Sequence, residues 1–166
     1  MMSQPLAERL RPKTLDDYIG QKHLVGQGAV LRKMIDAGRV PSFILWGPPG
    51  VGKTTLAQII ANKLDAPFYT LSAISSGVKD VREVIEKAKS NRFFNTVSPI
   101  LFIDEIHRFS KSQQDSLLNA VETGVVTLIG ATTENPSFEV IRPLLSRCQV
   151  YVLKSLDKND LLTLLH

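Results

Sequence analysis

The feature that most constrains this chain is the segment Gly47–Thr54, GPPGVGKT, which matches the pattern G-x-x-x-x-G-K-[ST] at every fixed position. A short apolar run, Ser42–Trp46, precedes it, and a helical pattern over Lys53–Leu64 follows it. Such a turn binds phosphate, because its backbone N–H groups and the helix N-terminus face the anion together. The segment therefore predicts a phosphate loop, with Lys53 on the β- and γ-phosphates and the Thr54 hydroxyl on magnesium. The predicted nucleotide-contacting residues of the loop are Gly47, Pro48, Pro49, Gly50, Val51, Gly52, Lys53, Thr54 and Thr55.

The remainder of the chain alternates short apolar runs with helical patterns. The predicted strands are 42–46, 68–72, 100–103, 125–132 and 149–153. The predicted helices are 29–37, 53–64, 78–88 and 110–122, with a short helix near Pro143. Ser110 and Gln113 have the spacing of a capping box at the start of the helix over 110–122. Continuously apolar strands separated by helices are typical of a parallel sheet that is covered on both faces. The sequence therefore predicts a three-layer α/β domain with a mainly parallel five-stranded sheet, whose ligands bind at the carboxyl ends of the strands.

Two adjacent carboxylates end one of these strands. The apolar run Ile100–Ile103 is followed at once by Asp104 and Glu105. Adjacent acids at the end of a buried strand are costly unless a cation or a water uses them. We expect Asp104 to hold magnesium, directly or through a water, and Glu105 to polarise an attacking water, because phosphoryl transfer depends chiefly on positioning. The sequence assigns no catalytic role to His107.

Composition indicates an ordinary globular domain of the cytoplasm. The chain has 166 residues and one cysteine, Cys148, so an internal disulfide is impossible and a reducing compartment fits. No apolar run reaches the roughly 18 residues that a membrane span needs, and the N-terminus lacks the apolar segment of a secretion signal. The net charge of +4 fits a polyanionic partner such as DNA, and it fits equally well a surface that is simply basic.

The order and spacing of the phosphate loop and the acidic strand end resemble those of AAA+ ATPases, and the resemblance covers nearly the whole chain. It implies a P-loop NTPase fold that uses ATP and Mg²⁺. The segment Glu8–Gln21 is similar to the segment that precedes the core in clamp loaders, where it surrounds the adenine. By that likeness the adenine pocket consists of Leu10, Arg11, Pro12, Tyr18 and Ile19.

Two more segments resemble functional positions of that superfamily. The segment Ile129–Pro136 resembles the strand end that carries the sensor-1 polar residue, which favours Thr133, with Thr132 second. The alternative is a pair of β-branched residues that simply ends a strand. The segment Leu145–Cys148 is similar to the Ser-Arg-Cys motif of clamp loaders, in which the arginine acts on the neighbouring subunit's ATP. Arg147 is thus a candidate finger in trans, or else an arginine that binds helix carbonyls.

Several stretches resemble the RarA/MgsA family, the bacterial relatives of the Werner-helicase-interacting ATPase: Ser76–Arg82, Asp104–Phe109, Lys111–Asp115, Ala120–Glu122 and Gly130–Phe138. This resemblance implies a homo-oligomeric, DNA-stimulated ATPase that acts at stalled replication forks and in recombination. It implies forks, gaps or single-strand/duplex ends as DNA partners, an association with single-strand-binding protein, and a nucleoid-associated place in the cytoplasm.

The family also implies a helical lid after the core. We expect residues 1–153 to form the nucleotide-binding core and 154–166 to begin a lid that continues in a longer protein. A fragment without that lid is expected to bind nucleotide weakly and to turn over little ATP.

Other functions remain open at this point. One is a clamp-loader subunit or a branch-migration motor, and another is a nucleotide-gated scaffold that recruits proteins. Direct DNA contact by Lys79 and Arg82, or by Arg92 with Phe93 and Phe94, is also open, since these residues suit a solvated face or a packed core as well.

Overall fold

A computed structural model describes residues 30–49, 52–91 and 97–153. Their strands are β1 (Phe43–Trp46), β2 (Phe68–Ser72), β3 (Ile100–Asp104), β4 (Thr127–Thr132) and β5 (Gln149–Val152). All neighbouring strands pair in parallel, in the order β2-β3-β4-β1-β5. The predicted five-stranded parallel sheet is confirmed. In this order the carboxyl ends of β3, β4 and β1 lie side by side.

Helices follow the strands in the expected alternation. They are α1 (Val30–Asp36), α2 (Lys53–Leu64), α3 (Val78–Asn91), α4 (Lys111–Glu122), α5 (Pro136–Glu139) and α6 (Arg142–Leu145). A 3-10 helix, Ile106–Arg108, comes directly after β3. Among the described residues, none of these helices has the length and apolar character needed to cross a membrane.

Apolar residues of the strands pack into a helix layer on each face of the sheet. On one face, Leu31 of α1 and Ile60 of α2 share a core with Phe43 and Phe102. On the other face, the core contains apolar residues of α3 and α4 together with strand residues: Val81, Ile85, Leu117, Ile44, Leu101 and Leu128. Burial on both faces explains why the strands read as continuous apolar runs rather than as an alternating pattern. The predicted three-layer α/β domain is therefore confirmed.

Boundaries differ from the predictions where backbone groups have other partners. Val125 and Val126 were expected to begin β4, but their N–H groups bond to the carbonyl of Ala120, at 2.9 and 3.4 Å, and complete the end of α4. The strand therefore begins at Thr127. Helix α3 runs three residues beyond the predicted end at Ala88, to Asn91. Leu153, expected as the last residue of β5, follows it, although its N–H still bonds to the carbonyl of Trp46 at 2.8 Å.

Side chains cap the N-termini of two helices, α4 and α5. Ser110 accepts from the Gln113 N–H at 3.2 Å, and the Gln113 side chain accepts from the Ser110 N–H at 2.7 Å, so the predicted capping box is confirmed. The short helix near Pro143 is α6. Helix α5 was not predicted, although Asn135 caps it by accepting from the Ser137 N–H at 3.0 Å and Pro136 occupies its first turn.

Candidate nucleotide-binding site

The carboxyl ends of β3, β4 and β1 surround a cavity of about 320 Å³. Its lining consists of Pro49, Gly52, Lys53, Thr54, Thr55, Asp104, Glu105, Thr132 and Thr133. These residues come from the phosphate loop, the acidic strand end and the sensor-1 segment, which are far apart in the sequence. The parallel topology therefore brings the separately predicted motifs to one place, as expected for a site at the carboxyl edge of an open sheet.

The phosphate loop turns into α2 at Gly52. This glycine has φ +82°, a left-handed conformation that residues with a Cβ rarely adopt, and helix α2 begins at the next residue. The Gly52 carbonyl accepts the first helical hydrogen bond, from the Leu56 N–H at 3.0 Å. Of the predicted loop residues, Gly47 is buried and Pro48 half-buried, and neither is among the residues that line the cavity. Gly50 and Val51 lie outside the described residues.

Lys53 is half-buried at the centre of the site. Its ammonium donates to the carbonyl of Gly47 at 2.8 Å and reaches the carbonyl of Thr132 at 3.4 Å. Burial lowers the pKa of Lys53 below its ordinary value, and the nearby carboxylates of Asp104 and Glu105 partly offset that shift. The cation is thus held between the phosphate loop and the end of β4.

Gly47 joins the loop to both strands beside β1. Its N–H donates to the carbonyl of Thr132 at 3.1 Å. A Cβ on Gly47 would lie 2.8 Å from the Cβ of Leu153 and 2.9 Å from its carbonyl oxygen. A Cβ essentially never approaches another atom that closely, so any other residue at position 47 would force the chain leaving β5 to shift.

The two carboxylates of the acidic strand end differ in environment. Asp104 is the exposed last residue of β3, and its carbonyl accepts from the Ala73 N–H at 3.3 Å. Glu105 has φ +53°, which is uncommon for a residue other than glycine. Its Oε2 lies 3.0 Å from Nε of Arg108, yet that buried oxygen has no aligned hydrogen-bond donor among the described residues. Glu105 therefore offers the cavity a carboxylate with unused acceptor capacity.

The two threonines after β4 have different environments. Thr132 is 1% exposed, and its hydroxyl contacts the Glu134 N–H at 2.9 Å, the Glu134 carbonyl at 3.1 Å and Nδ1 of His107 at 2.9 Å. Thr133 is exposed on the cavity, and its hydroxyl makes no hydrogen bond with the described residues. This contrast supports Thr133 as the sensor-1 candidate. The contact between His107 and Thr132 was not predicted from the sequence. The only sequence signal at His107 is its position after the acidic pair.

Arg147 lies away from the cavity. It follows α6 and precedes β5, its side chain is exposed, and its Nε lies 3.6 Å from Oε1 of Glu122. Gln149 pairs with Phe43 at the amino end of β1, whereas the phosphate loop follows Trp46 at the other end. Three strand residues separate the two ends by about 10 Å. Arg147 therefore lies near the edge of the sheet opposite its own cavity.

Other predicted contacts fall elsewhere. Lys79 and Arg82 are exposed on α3, where Asp80 and Glu83 alternate with them, so that face has no basic excess at its start. The adenine-pocket residues Leu10, Arg11, Pro12, Tyr18 and Ile19, the candidate DNA contacts Arg92, Phe93 and Phe94, and the predicted lid at 154–166 lie outside the described residues.

The donor set fits a magnesium ion that is held mainly by nucleotide and water. The Thr54 hydroxyl and the Asp104 carboxylate both line the cavity. Within the described ranges no three or more His, Cys, Asp or Glu side chains converge as a metal-binding group. Magnesium commonly takes one or two protein oxygens and completes its shell with phosphates and waters, so a pair of ligands suffices here.

Comparison with known proteins agrees with this geometry. The sequence profile of the ATPase family associated with various cellular activities (AAA) matches residues 43–156. The chain is 56% identical over 158 residues to replication-associated recombination protein A of Escherichia coli strain K12, covering 95% of this chain and 35% of that protein. It is 53% identical over 161 residues to the ATPase WRNIP1 of Dictyostelium discoideum, covering 97% of this chain and 18% of that protein. The chain thus spans about a third or less of these relatives.

A solved structure supports the same assignment. The RuvB Holliday junction branch migration motor of Thermotoga maritima superposes with a TM-score of 0.69 at 34% identity, covering 88% of this chain and 48% of RuvB. The predicted resemblance to RarA proteins is confirmed by the sequence matches. The chain belongs to the AAA family of ATPases, and within that family it is similar to replication-associated recombination protein A.

Proposed function

We propose that this chain binds ATP with magnesium and hydrolyses it to ADP and phosphate. The observation that carries the proposal is the convergence of Lys53, Asp104, Glu105 and Thr133 on one cavity at the ends of three adjacent strands. This set supplies a cation, a metal ligand, an acceptor for the attacking water and a neutral hydroxyl. A site that only bound a nucleotide would need neither Glu105 nor Thr133.

Each side chain has a separate task in this proposal. Lys53 leaves the carbonyl of Gly47 and contacts the β- and γ-phosphates, to which its charge is better matched. Glu105 accepts a hydrogen bond from the attacking water and orients it. Thr133 donates its hydroxyl to that water or to the γ-phosphate. Magnesium, held by Thr54 and Asp104, would neutralise charge on the phosphates.

Arg147 completes the site of a second copy of the chain. Its exposed position at the amino end of β5 supports a role in trans, because its own cavity opens at the opposite edge of the sheet. The active form is then a homo-oligomer with nucleotides at subunit interfaces. A polypeptide of these residues alone is expected to hydrolyse ATP slowly wherever it remains monomeric.

The biological setting that we propose is DNA-dependent hydrolysis at stalled replication forks and in recombination, in the cytoplasm. It is supported by the similarity to replication-associated recombination protein A. The partners proposed are forked or gapped DNA, single-strand/duplex ends and single-strand-binding protein. These assignments concern the whole protein.

The direct test measures ATP turnover by the complete protein with and without forked or gapped DNA, with Lys53→Ala as the blank. Stimulation by DNA that is absent from the blank supports the proposal. Turnover that ignores every DNA structure contradicts the DNA-dependent part, and a nucleotide-gated protein scaffold then becomes the better account.

A branch-migration motor is the second candidate, because RuvB shares the fold at 34% identity. The two candidates differ in the DNA structure on which each is expected to act. A branch-migration motor moves a synthetic four-way junction in an ATP-dependent reaction, whereas the first candidate is stimulated most by forks and gaps. A clamp-loader subunit would instead bind a sliding clamp, which a pull-down with purified clamp tests.

A further inference from the structure

We propose that His107 is a positioning residue for ATP hydrolysis, which acts by tying the acidic strand end to the sensor-1 segment through Thr132. This inference rests on the proposed function, since it concerns the placement of Glu105 and Thr133 in the same site. His107 does not line the cavity, so any effect on hydrolysis must pass through the residues that it holds.

The contact is well defined. Nδ1 of His107 lies 2.9 Å from the hydroxyl oxygen of Thr132, whose residue is 1% exposed. A threonine hydroxyl has one proton to donate and two lone pairs to accept with. All three contacts of this hydroxyl are satisfied together when it donates to the Glu134 carbonyl and accepts from the Glu134 N–H and from Nδ1–H of His107. This assignment makes His107 the donor in the pair.

Thr132 is also bonded through its backbone to the phosphate loop. Its carbonyl accepts from the Gly47 N–H at 3.1 Å and lies 3.4 Å from the ammonium of Lys53. One residue therefore holds the phosphate loop through its main chain and the acidic segment through its side chain. The next residue along the chain is Thr133. The bonds to Thr132 therefore also fix the backbone position from which the Thr133 side chain extends.

The 3-10 helix that carries His107 needs such support. Glu105 starts it in a left-handed conformation, φ +53°, which surrounding contacts must hold in place. Ile106 packs so closely on Gly130 that a Cβ there would come within 3.1 Å of the Ile106 side chain. The His107–Thr132 bond is the polar counterpart of that packing. Together they fix Glu105 against β4, the strand between the phosphate loop and the acidic end.

The main experiment compares His107→Ala with His107→Asn in the complete protein. The side-chain amide of Asn can replace Nδ1–H as a donor to Thr132, whereas Ala cannot. We expect His107→Ala to lower kcat about 10- to 100-fold, the size of effect that small misplacements produce, with the Kd for ATP changed little. His107→Asn should recover most of kcat. Equal loss in both variants, or an unchanged kcat in His107→Ala, would overturn the inference.

A double-mutant cycle shows whether the effect passes through Thr132. Thr132→Val removes the hydroxyl and keeps the shape, and Thr132→Ser keeps the hydroxyl. If His107 acts through Thr132, the double variant His107→Ala/Thr132→Val loses no more kcat than the worse single variant. Losses that multiply would contradict the proposal. Ser116→Ala, which removes a hydroxyl bonded to the Ser112 carbonyl on α4, is the matched control and should leave kcat unchanged.

A readout without nucleotide separates this inference from the proposed function. Hydrogen exchange of the peptide that contains Glu134 reports the bond from its N–H to Thr132. We expect faster exchange in His107→Ala, near-normal exchange in His107→Asn, and no change in Ser116→Ala. An unchanged exchange rate in His107→Ala would refute the link between His107 and Thr132 even if the protein proved not to hydrolyse ATP. Inactive wild-type protein with the expected exchange pattern would instead refute the proposed function and still support the link between His107 and Thr132.

Discussion

The ammonium of Lys53 donates a 2.8 Å hydrogen bond to the carbonyl oxygen of Gly47, the residue that opens the same phosphate loop. The loop therefore binds its own lysine through its backbone, and this bond must break when Lys53 contacts a phosphate. Asp104 and Glu105 lie close enough to affect its charge state. Removing either carboxylate should therefore lower the pKa of Lys53 further.

Replacing Lys53 tests the cation directly. Lys53→Ala removes the charge that faces the phosphates and leaves the two carboxylates without their cation, so ATP should bind at least about tenfold more weakly. Isothermal titration with ATP and magnesium measures the change. Lys63→Ala, an exposed lysine in the last turn of the same helix, is the control and should bind as wild type does. Unchanged affinity in Lys53→Ala would mean that this cavity is not the nucleotide site.

Glu105→Gln separates binding from hydrolysis. The amide has nearly the same shape but no negative charge, so it polarises the attacking water much less, and kcat should fall roughly 10²- to 10⁴-fold while ATP still binds. The melting temperature should hardly move, because an ion pair with a side chain as exposed as that of Arg108, 59%, contributes little to stability. Steady-state turnover and titration of the same preparation give both quantities. Glu139→Gln, an exposed carboxylate on α5, should behave as wild type, and full turnover by Glu105→Gln would exclude the assigned role.

Matched valine substitutions distinguish the two threonines after β4. Thr133→Val should lower kcat and leave stability unchanged, since its hydroxyl bonds to none of the described residues. Thr132→Val should destabilise the domain by about 1–3 kcal/mol, because polar partners of a buried hydroxyl lose their hydrogen bonds. Urea unfolding measures the second effect. A larger stability loss in Thr133→Val than in Thr132→Val would reverse the assignment.

Mixing two inactive variants tests the trans role of Arg147. Arg147→Ala keeps a complete cavity, and Lys53→Ala keeps the arginine, so the mixture should regain turnover that neither variant has alone. Loss of an arginine finger lowers the rate by about 10³ to 10⁵ in proteins where it is known. Arg142→Ala, exposed on α6, serves as the control. A mixture without ATP turnover, or an active Arg147→Ala protein, would rule out the trans role of Arg147.

Cys148 provides a test that needs no nucleotide. Burial raises the pKa of its thiol to about 12, so at pH 8 nearly all of it stays protonated. The thiolate is the reactive form, and labelling by a thiol reagent should therefore be slow in the folded protein and rapid in urea. Raising the pH toward 10 should speed the reaction. Complete labelling of the folded protein within seconds at pH 8 would contradict this environment.

The sequence predicted those parts of the molecule that depend on local patterns. The loop at Gly47–Thr54 and the acidic pair after Ile103 could be found because each motif combines fixed residue types with a strand before it. The capping box at Ser110 could be found because its two hydrogen bonds lie within one helical turn. Such features need no knowledge of the rest of the fold.

Features that depend on contacts between distant segments could not be predicted from the sequence. Val125 and Val126 have strand-like side chains, but their N–H groups bond to Ala120 at the end of α4. His107 was assigned no catalytic role, and its contact with Thr132 could not be predicted because the two residues are 25 positions apart. The hydrogen bonds that distinguish Thr132 from Thr133 likewise exist only in the folded chain, so the sequence could only rank the two residues.

The contact between Gly47 and Leu153 gives the first glycine of the phosphate motif a second requirement. Any side chain at residue 47 would collide with the chain leaving β5, whether or not a nucleotide ever binds. The assembly of the sheet therefore requires this glycine independently of phosphate binding. A chain that no longer bound ATP should therefore still require glycine at residue 47 for the same packing of the sheet.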